Sequence, residues 1–189
     1  MTEPITTPAP GGAGAAPPRI RDMTYADCDR VAEIRVGGWR AAYRGLMPQS
    51  YLDALGVGED ADRHRARFAR GDGAVVNLIA ERDGRAVGWA CHGPYRAGDL
   101  RTADAELYAV YVDPALYGTG TGRALLAESV RRCAAAGHER MLLWVLKDNT
   151  RARRFYERAG FLPDGAEESF EADGVQVPEV RYARTLTPG

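Results

Sequence analysis

The strongest constraint on the fold is a glycine-rich turn between a strand-forming segment and a helix-forming segment. Residues 107–123 read LYAVYVDPALYGTGTGR, and the run ALLAESVRRCAAAG follows directly. Glycine has no Cβ, so a turn through Gly118, Gly120 and Gly122 can curl and present successive backbone N–H groups to one point. The first turn of the helix adds unpaired N–H donors and the positive end of the helix dipole. The pattern predicts an anion site suited to a pyrophosphate; a glycine-rich turn without a ligand is the alternative.

Two well-known phosphate loops fit this turn poorly. A Walker A loop needs a lysine directly after its glycines, and the single lysine of the chain is Lys147. A dinucleotide-binding turn has the spacing G-x-G-x-x-G, with an acidic residue about 20 positions further on. Here the spacing is G-x-G-x-G, and Asp148, the acidic residue after the next strand, lies 26 residues past Gly122. A nucleotide-binding oxidoreductase therefore stays open only as a weaker alternative.

From residue 19 onward the chain alternates between strand and helix patterns. The dipeptide Asp83-Gly84 between two strand-forming runs is typical of a tight hairpin. Apolar spacing and capping residues predict helices over residues 26–44, 48–55, 61–69, 121–136 and 149–159, and strands over residues 20–22, 75–82, 86–91, 106–112, 141–146, 161–162 and 180–186. An antiparallel hairpin followed by strand, helix, strand and helix predicts one α+β (mixed α/β) domain over residues 19–189.

The composition excludes several classes of protein. Residues 1–18 hold five of the eleven prolines and almost no long apolar side chains, which predicts a disordered tail. The net charge of -1 argues against a dedicated nucleic-acid or membrane-surface binder. Cys28, Cys91 and Cys133 are too few and too scattered for a disulfide framework, which favours a reducing cytoplasm. The three histidines are isolated, so no metal site is expected.

Two segments together resemble the GNAT superfamily of N-acetyltransferases. The sequence from Tyr117 to Gly122, after Val112-Asp113-Pro114, is similar to the family signature [QR]-x-x-G-x-[GA], with Tyr117 in place of the usual Gln or Arg. Residues 149–161, NTRARRFYERAGF, resemble the family segment N-x-x-A-x-x-[FL]-Y-x-x-x-G-F. The resemblance covers residues 20–186 and implies an acyl-CoA N-acyltransferase fold. In that fold a mostly antiparallel, twisted sheet contains a splayed pair of strands and is flanked by helices.

The resemblance also implies acetyl-CoA as acyl donor, without a metal, and it assigns a set of residues to this donor. Arg123 is equally explained as an exposed residue at a helix start, and Tyr156 as a packed aromatic side chain. The residues that the resemblance places at the donor are Val110, Tyr111, Val112, Tyr117, Gly118, Thr119, Gly120, Thr121, Gly122, Arg123, Asn149 and Tyr156.

The chemistry that the resemblance implies is direct attack of an amine on the acetyl thioester in a ternary complex. Tyr156 would protonate the departing thiolate, and Glu106 matches the catalytic glutamate of the histone-acetylating branch. Strand alternation predicts that Glu106, Tyr108, Val110 and Val112 share one face. Glu106 as an exposed carboxylate at a strand end, with water removing the proton, is the alternative.

The acceptor is less well defined by the sequence. Trp39 and Tyr43 lie four residues apart on a predicted helix, where an aromatic pair suits a cationic amine or a flat ring. Core packing explains the same spacing. The predicted acceptor is an amine of a small molecule or a peptide, with no nucleic-acid or membrane partner, and a homodimer is compatible with this prediction. A catalytically silent acyl-CoA sensor of the same fold is the alternative function.

Overall fold

The computed structural model describes residues 16–71, 73–97 and 100–187. Residues 1–15, most of the segment predicted to be disordered, lie outside the described residues, so that prediction is not tested. The described strands are β1 (Arg19–Asp22), β2 (Val76–Arg82), β3 (Arg85–Ala97), β4 (Leu100–Val112), β5 (Arg140–Leu146), β6 (Leu162–Ala172) and β7 (Val175–Thr185). The described α-helices are α1 (Cys28–Ala42), α2 (Gln49–Asp53), α3 (Val57–Arg70), α4 (Thr121–Ala135) and α5 (Thr150–Arg158).

The described strands form a single sheet with one parallel contact. Its order is β1-β2-β3-β4-β5-β7-β6, and every neighbouring pair is antiparallel except β4 and β5. These two parallel strands pair only at Ala105 with Met141 and Glu106 with Leu142. Beyond those pairs β4 and β5 diverge toward their carboxyl ends and open a cleft. The prediction of a mostly antiparallel sheet with a splayed pair is confirmed.

Helices cover both faces of the sheet. On one face α1 buries Val31 and Ile34 against Ile79 and Trp89. On the other face α4 and α5 pack over β4, β5 and β7 around Phe161, which is fully buried. The cleft between β4 and β5 therefore opens toward α1 on one side and toward α4 and α5 on the other.

Local sequence signals set the ends of the helices, as predicted. Thr24 forms a capping box with Asp27 around a short 3-10 turn, Tyr25–Asp27, that leads into α1, whose own N-cap is Asp27. Asn149 caps α5 by accepting a hydrogen bond from the backbone N–H of Ala152 at 3.0 Å. After α4, Gly137 adopts the left-handed conformation, with φ of +86°, that ends many helices.

A β-bulge in β4 makes one prediction wrong. Cys91 of β3 pairs with Ala109 of β4, but the next β3 residue, His92, pairs with Leu107, so Tyr108 is an extra residue. An extra residue reverses the alternation of side chains beyond it. Glu106 and Tyr108 therefore lie on the α1 face, whereas Val110 and Val112 pack on the α4 face, and the four side chains do not share one face as predicted.

The last two strands are much longer than predicted. The predicted strands 161–162 and 180–186 overlap β6 and β7, which form a hairpin across Asp173-Gly174. Asp173 and Gly174 have φ of +49° and +76°, close to the +52° and +73° of Asp83 and Gly84 in the predicted hairpin. The same turn dipeptide thus occurs twice. The second hairpin was missed because β6 is mostly exposed and rich in Glu, which strands rarely favour.

Two adjacent glycines in α1 offer a matched test of how this helix positions β4. A Cβ on Gly38 would lie 2.9 Å from the Tyr111 ring, whereas a Cβ on Gly37 meets nothing within 4 Å. We expect Gly38→Ala to lower the free energy of unfolding by roughly 1–3 kcal/mol through overpacking. Gly37→Ala should raise it by about 0.5–1 kcal/mol, because alanine favours the helix. Urea denaturation of both variants measures the difference, and equal effects would contradict the close packing of α1 on β4.

Candidate active site

The cleft begins where β4 and β5 separate, and its wide end faces the glycine turn. Beyond Glu106, the edge of β4 that faces β5 pairs with no strand among the described residues. Val110 and Val112 project from this segment toward α4, and Tyr111 projects toward α1. The unpaired edge leaves backbone N–H and C=O groups free to bind an extended ligand.

The glycine turn has the conformation that its sequence predicts. Gly118 and Gly120 are both left-handed, with φ of +82° and +83°, and Gly120 is the N-cap of α4. A Cβ on either residue would face open space. The Thr119 hydroxyl lies 2.8 Å from the carbonyl oxygen of Leu116 and 3.0 Å from the Thr121 hydroxyl, which fixes the turn from within. The first N–H groups of α4 therefore point into an accessible hollow.

An arginine from α5 reaches this turn. The guanidinium of Arg151 lies 4.2 Å from the centre of the Tyr117 ring, a cation–π contact. Arg123, in the first turn of α4, is exposed. Tyr117 itself offers no charge, but it holds a cation from a neighbouring helix at the place where the family signature carries Gln or Arg. Arg151 was missed by sequence reasoning because nothing local indicates this contact.

Asn149 and Tyr156 mark the two ends of α5. Asn149 is buried, and its side-chain oxygen is used in the helix cap, whereas its amide nitrogen bonds to no described residue. The Tyr156 ring packs edge-on against Phe155 and Phe161, with centroids 5.1 and 6.2 Å away. The Tyr156 hydroxyl is protonated at neutral pH, and burial moves its pKa further above the ordinary tyrosine value.

Tyrosines from α1, β4 and α5 converge at the cleft. The hydroxyl oxygens of Tyr43 and Tyr111 lie 3.3 Å apart. Burial raises the pKa of both groups, and Tyr156 is close enough to each to interact electrostatically. The structure thus brings Tyr43 and Tyr156 together, although they are 113 residues apart in the sequence.

Trp39 lies behind Tyr43 rather than beside the cleft opening. Its ring contacts Tyr43 edge-on at 5.0 Å, and Tyr51 and Phe170 lie about 6 Å away on other sides. The guanidinium of Arg35 lies 4.9 Å from the ring centre. Trp39 and Tyr43 do share a helix face as predicted, but the neighbours of Trp39 favour a packing role for it.

Glu106 sits near the narrow end of the cleft. One of its carboxylate oxygens accepts a hydrogen bond from the backbone N–H of Arg96 at 3.0 Å. Burial raises the pKa of Glu106, while the Arg96 amide and guanidinium oppose the shift. One of its two oxygens is therefore engaged by the end of β3.

Glu168 and Glu179 form a like-charged pair that the sequence analysis missed. They are direct cross-strand partners in the β6–β7 hairpin, and Glu179 also lies opposite Leu146 at the end of β5. Burial, and then the nearby Glu168 charge, raises the pKa of Glu179 to about 7. The turn dipeptide Asp173-Gly174 was the available signal, because it fixes which residues of the hairpin face one another.

Comparison with known proteins identifies the family of this fold and cleft. Residues 39–161 match the acetyltransferase (GNAT) family. An uncharacterized N-acetyltransferase of Bacillus subtilis, YuaI, is 32% identical over 162 residues, which are 85% of this chain and 89% of YuaI. Another from Mycobacterium tuberculosis, Rv2669, is 39% identical over 141 residues, covering 74% of this chain and 85% of the relative. The chain belongs to the GNAT family and is an N-acetyltransferase.

A solved structure shares this fold. A phosphinothricin acetyltransferase from Sinorhizobium meliloti superposes with a TM-score of 0.72 at 22% identity, covering 92% of this chain and 91% of the other. The family assignment sets aside a nucleotide-binding oxidoreductase. In the described part of the chain, no cluster of three or more His, Cys, Asp or Glu could hold a metal ion. No helix there has the length and apolar character needed to cross a bilayer.

The pKa of Glu179 predicts a pH-dependent cost in stability. The folded protein binds this proton more tightly than the unfolded chain, whose glutamate has a pKa of 4.5. The contribution of Glu179 to the free energy of unfolding is therefore fully present below pH 4.5, where the side chain is protonated. It is lost as the pH rises through about 7 and the carboxylate becomes charged. We expect Glu179→Gln to raise the free energy of unfolding at pH 8 by on the order of 1–2 kcal/mol, with little gain at pH 4.5.

Glu167→Gln is the control for this measurement. Glu167 is the exposed neighbour of Glu168, and its carboxylate lies 2.9 Å from the ammonium of Lys147. Its loss should not stabilise the protein at pH 8. Thermal or urea denaturation at both pH values makes the comparison, and a Glu179→Gln variant no more stable than wild type at pH 8 would contradict the raised pKa.

Proposed function

We propose that this N-acetyltransferase binds acetyl-CoA in the cleft between β4 and β5 and transfers the acetyl group to an amine that enters from the α1 side. The observation that carries the proposal is the open parallel pair, joined at only two residue pairs, with the glycine turn at its wide end. The phosphinothricin acetyltransferase with the same fold was solved in complex with acetyl-CoA. That complex supports acetyl-CoA as donor.

The cleft fits the donor along its length. The free edge of β4 over Val110, Tyr111 and Val112 can pair with the amide groups of the pantetheine arm, as an added strand would. The amide nitrogen of Asn149, which the helix cap leaves free, can donate to the same arm. The proposal thus uses backbone groups of β4 that no described strand satisfies.

The turn over residues 118–123 suits the pyrophosphate. A bulky group can approach because Cβ atoms are absent at Gly118 and Gly120, where the space is open. The first N–H groups of α4 and the helix dipole favour a negative charge there. Arg151, held over Tyr117, and the exposed Arg123 add positive charge beside the turn.

Tyr156 supplies the proton for the leaving group. Acetyl-CoA contributes a thioester, whose carbonyl carbon accepts the amine and whose sulfur departs as a thiolate. Tyr156 is protonated at neutral pH, as tyrosine ordinarily is, so it can donate to the departing sulfur. Free backbone N–H groups of β4 next to the cleft can stabilise the negative charge that develops on the carbonyl oxygen.

The acceptor in this proposal is an amine of a small molecule or a peptide, bound near Tyr43. We place the enzyme in the cytoplasm, because Cys28, Cys91 and Cys133 are buried free thiols. A homodimer is compatible with the proposal. The catalytically silent sensor is the competing function, and it predicts acetyl-CoA binding without turnover of any amine. The presence of Tyr156 in the cleft favours catalysis.

Replacement of Gly120 tests the pyrophosphate site. We expect Gly120→Val to weaken acetyl-CoA binding at least tenfold, because a branched side chain would occupy the hollow in front of the N–H groups. Gly137→Val is a matched control, since Gly137 has φ of +86° against +83° for Gly120, and a Cβ meets nothing within 4 Å at either position. The Gly137→Val variant places valine in the same left-handed backbone conformation, but at the far end of α4. Calorimetric titration with acetyl-CoA measures both, and equal affinities in two folded variants would reject the site.

Tyr156→Phe tests the role of the hydroxyl. The variant keeps the ring packing against Phe155 and Phe161, so acetyl-CoA affinity should not change. The turnover number kcat should fall by about 10²–10⁴-fold, the usual contribution of general acid catalysis. Release of free thiol under single-turnover conditions reports the chemical step. A single-turnover rate constant equal to that of wild type would remove Tyr156 from the mechanism.

A further inference from the structure

Unlike most carboxylates of the β6–β7 hairpin, Glu179 has no partner among the described residues. Its side chain is half-buried, and no described residue forms a hydrogen bond or an ion pair with it. Other acidic groups nearby have partners: Glu167 pairs with Lys147, Asp164 pairs with Arg181 at 2.8 Å, and Glu157 accepts a hydrogen bond from the Tyr182 hydroxyl at 2.8 Å. Among the described carboxylates of this hairpin, only Glu179 and its cross-strand partner Glu168 therefore lack a partner.

The residue directly across the hairpin makes this position less stable. Glu168 is the cross-strand partner of Glu179, and like charges that face each other in a sheet are destabilising. Glu168 also forms no hydrogen bond or ion pair with a described residue. Two unpaired carboxylates facing each other reduce the stability of the hairpin, so packing alone does not explain them.

Glu179 lies on the face of the sheet where the acceptor would enter. Leu146 and Val177, its neighbours on that face, pack in one cluster with Tyr43. Glu179 and Tyr43 interact electrostatically, and the Tyr43 hydroxyl in turn contacts that of Tyr111 at 3.3 Å. Glu179 therefore lies near the tyrosines that converge at the cleft.

The cations near Glu179 are already engaged. Arg181, two residues along β7 on the same face, lies 2.8 Å from Asp164 and 2.7 Å from the Tyr95 hydroxyl. Arg35 of α1, which lies near Tyr43, forms an ion pair with Asp60 at 2.8 Å. The titratable groups that face Glu179 are otherwise Glu168 on β6 and Tyr43 on α1. A ligand with a positive charge would supply the missing counter-ion.

We propose that Glu179 binds the ammonium group of the acceptor and removes its proton, and that Glu168 tunes Glu179 for this role. The inference rests on the proposed function, because it needs acetyl transfer in the same cleft. It assigns proton removal to β7 instead of to Glu106 on β4, whose carboxylate is held by the Arg96 amide. The favoured acceptor is therefore an amine that arrives protonated.

The step balances as follows in protons and bonds. Glu179 takes one proton from the ammonium, and the freed lone pair on nitrogen attacks the carbonyl carbon of the acetyl thioester. A carbon–nitrogen bond forms, the carbon–sulfur bond breaks, and Tyr156 gives its proton to the sulfur. A second proton leaves the nitrogen and restores the Tyr156 hydroxyl. Glu179 then releases its proton to solvent.

The acid strength of Glu179 suits this task. A general base works best when its pKa lies near the operating pH. Burial and the Glu168 charge raise the pKa of Glu179 to about 7, close to neutral. The like-charged pair thus has a use that offsets its cost in stability.

The test is the pH profile of kcat/KM for wild type, Glu179→Gln, Glu168→Gln and Glu106→Gln. Methylamine, tyramine and a short peptide with a free amino terminus serve as acceptors, and the fastest is used for all variants. We expect an acidic limb near the pKa of about 7 in wild type. Glu179→Gln should lose this limb and be about 100-fold slower at pH 7, with a deficit that shrinks as the amine becomes free base. Its affinity for acetyl-CoA should not change.

Glu168→Gln provides a second readout, the pH of the acidic limb, which would not move if Glu179 had only a structural role. Removal of the like charge should lower the pKa of Glu179 and move the acidic limb to lower pH, whereas Glu106→Gln should keep the limb in place. A Glu179→Gln profile like that of wild type overturns the inference, as does loss of the limb in Glu106→Gln alone. Intact acetyl-CoA binding without turnover of any amine by wild type overturns the proposed function, and the inference with it.

Discussion

The short pairing between β4 and β5 is the constraint on which the site depends. Parallel strands that separate after two residue pairs leave backbone groups unpaired in the middle of a sheet, which is costly unless water or a ligand satisfies them. Each strand is held open from its outer side, β4 by β3 and β5 by β7 along its whole length. The antiparallel neighbours therefore hold the cleft open, and the groups at its edge are available because the parallel contact is short.

The same opening lets the two faces of the sheet meet. Tyr156 belongs to the layer of α5, whereas Tyr43 and Tyr111 belong to the layer of α1, and a continuous sheet would separate them. The approach of α1 depends on Gly38, whose missing side chain leaves room for the Tyr111 ring. In the proposed reaction, Tyr156 on the α5 face and the acceptor on the α1 face can then both approach the acetyl thioester.

The sequence predicted the features that depend on neighbouring residues and missed those that depend on strand register. The glycine turn, the Asn149 cap and the Asp83-Gly84 hairpin follow from local backbone preferences, and the structure confirms them. The bulge at Tyr108 depends on how β3 and β4 align, and no local pattern indicates it. The Glu168–Glu179 pair likewise exists only through the alignment of β6 with β7. Site residues on helices and turns were thus easier to predict than those on paired strands.

The contact between Arg151 and Tyr117 has a mechanical consequence. The family signature carries its polar side chain within the turn itself. Here the positive charge is that of Arg151 on α5, which contacts the turn through the Tyr117 ring. Arg151 and Tyr156 lie on the same nine-residue helix, little more than one turn apart. In the proposed complex, phosphate groups that attract Arg151 also act on the position of α5, the helix that carries the proton donor Tyr156. Binding of the donor and the position of the Tyr156 hydroxyl are then thermodynamically linked, because α5 carries both Arg151 and Tyr156.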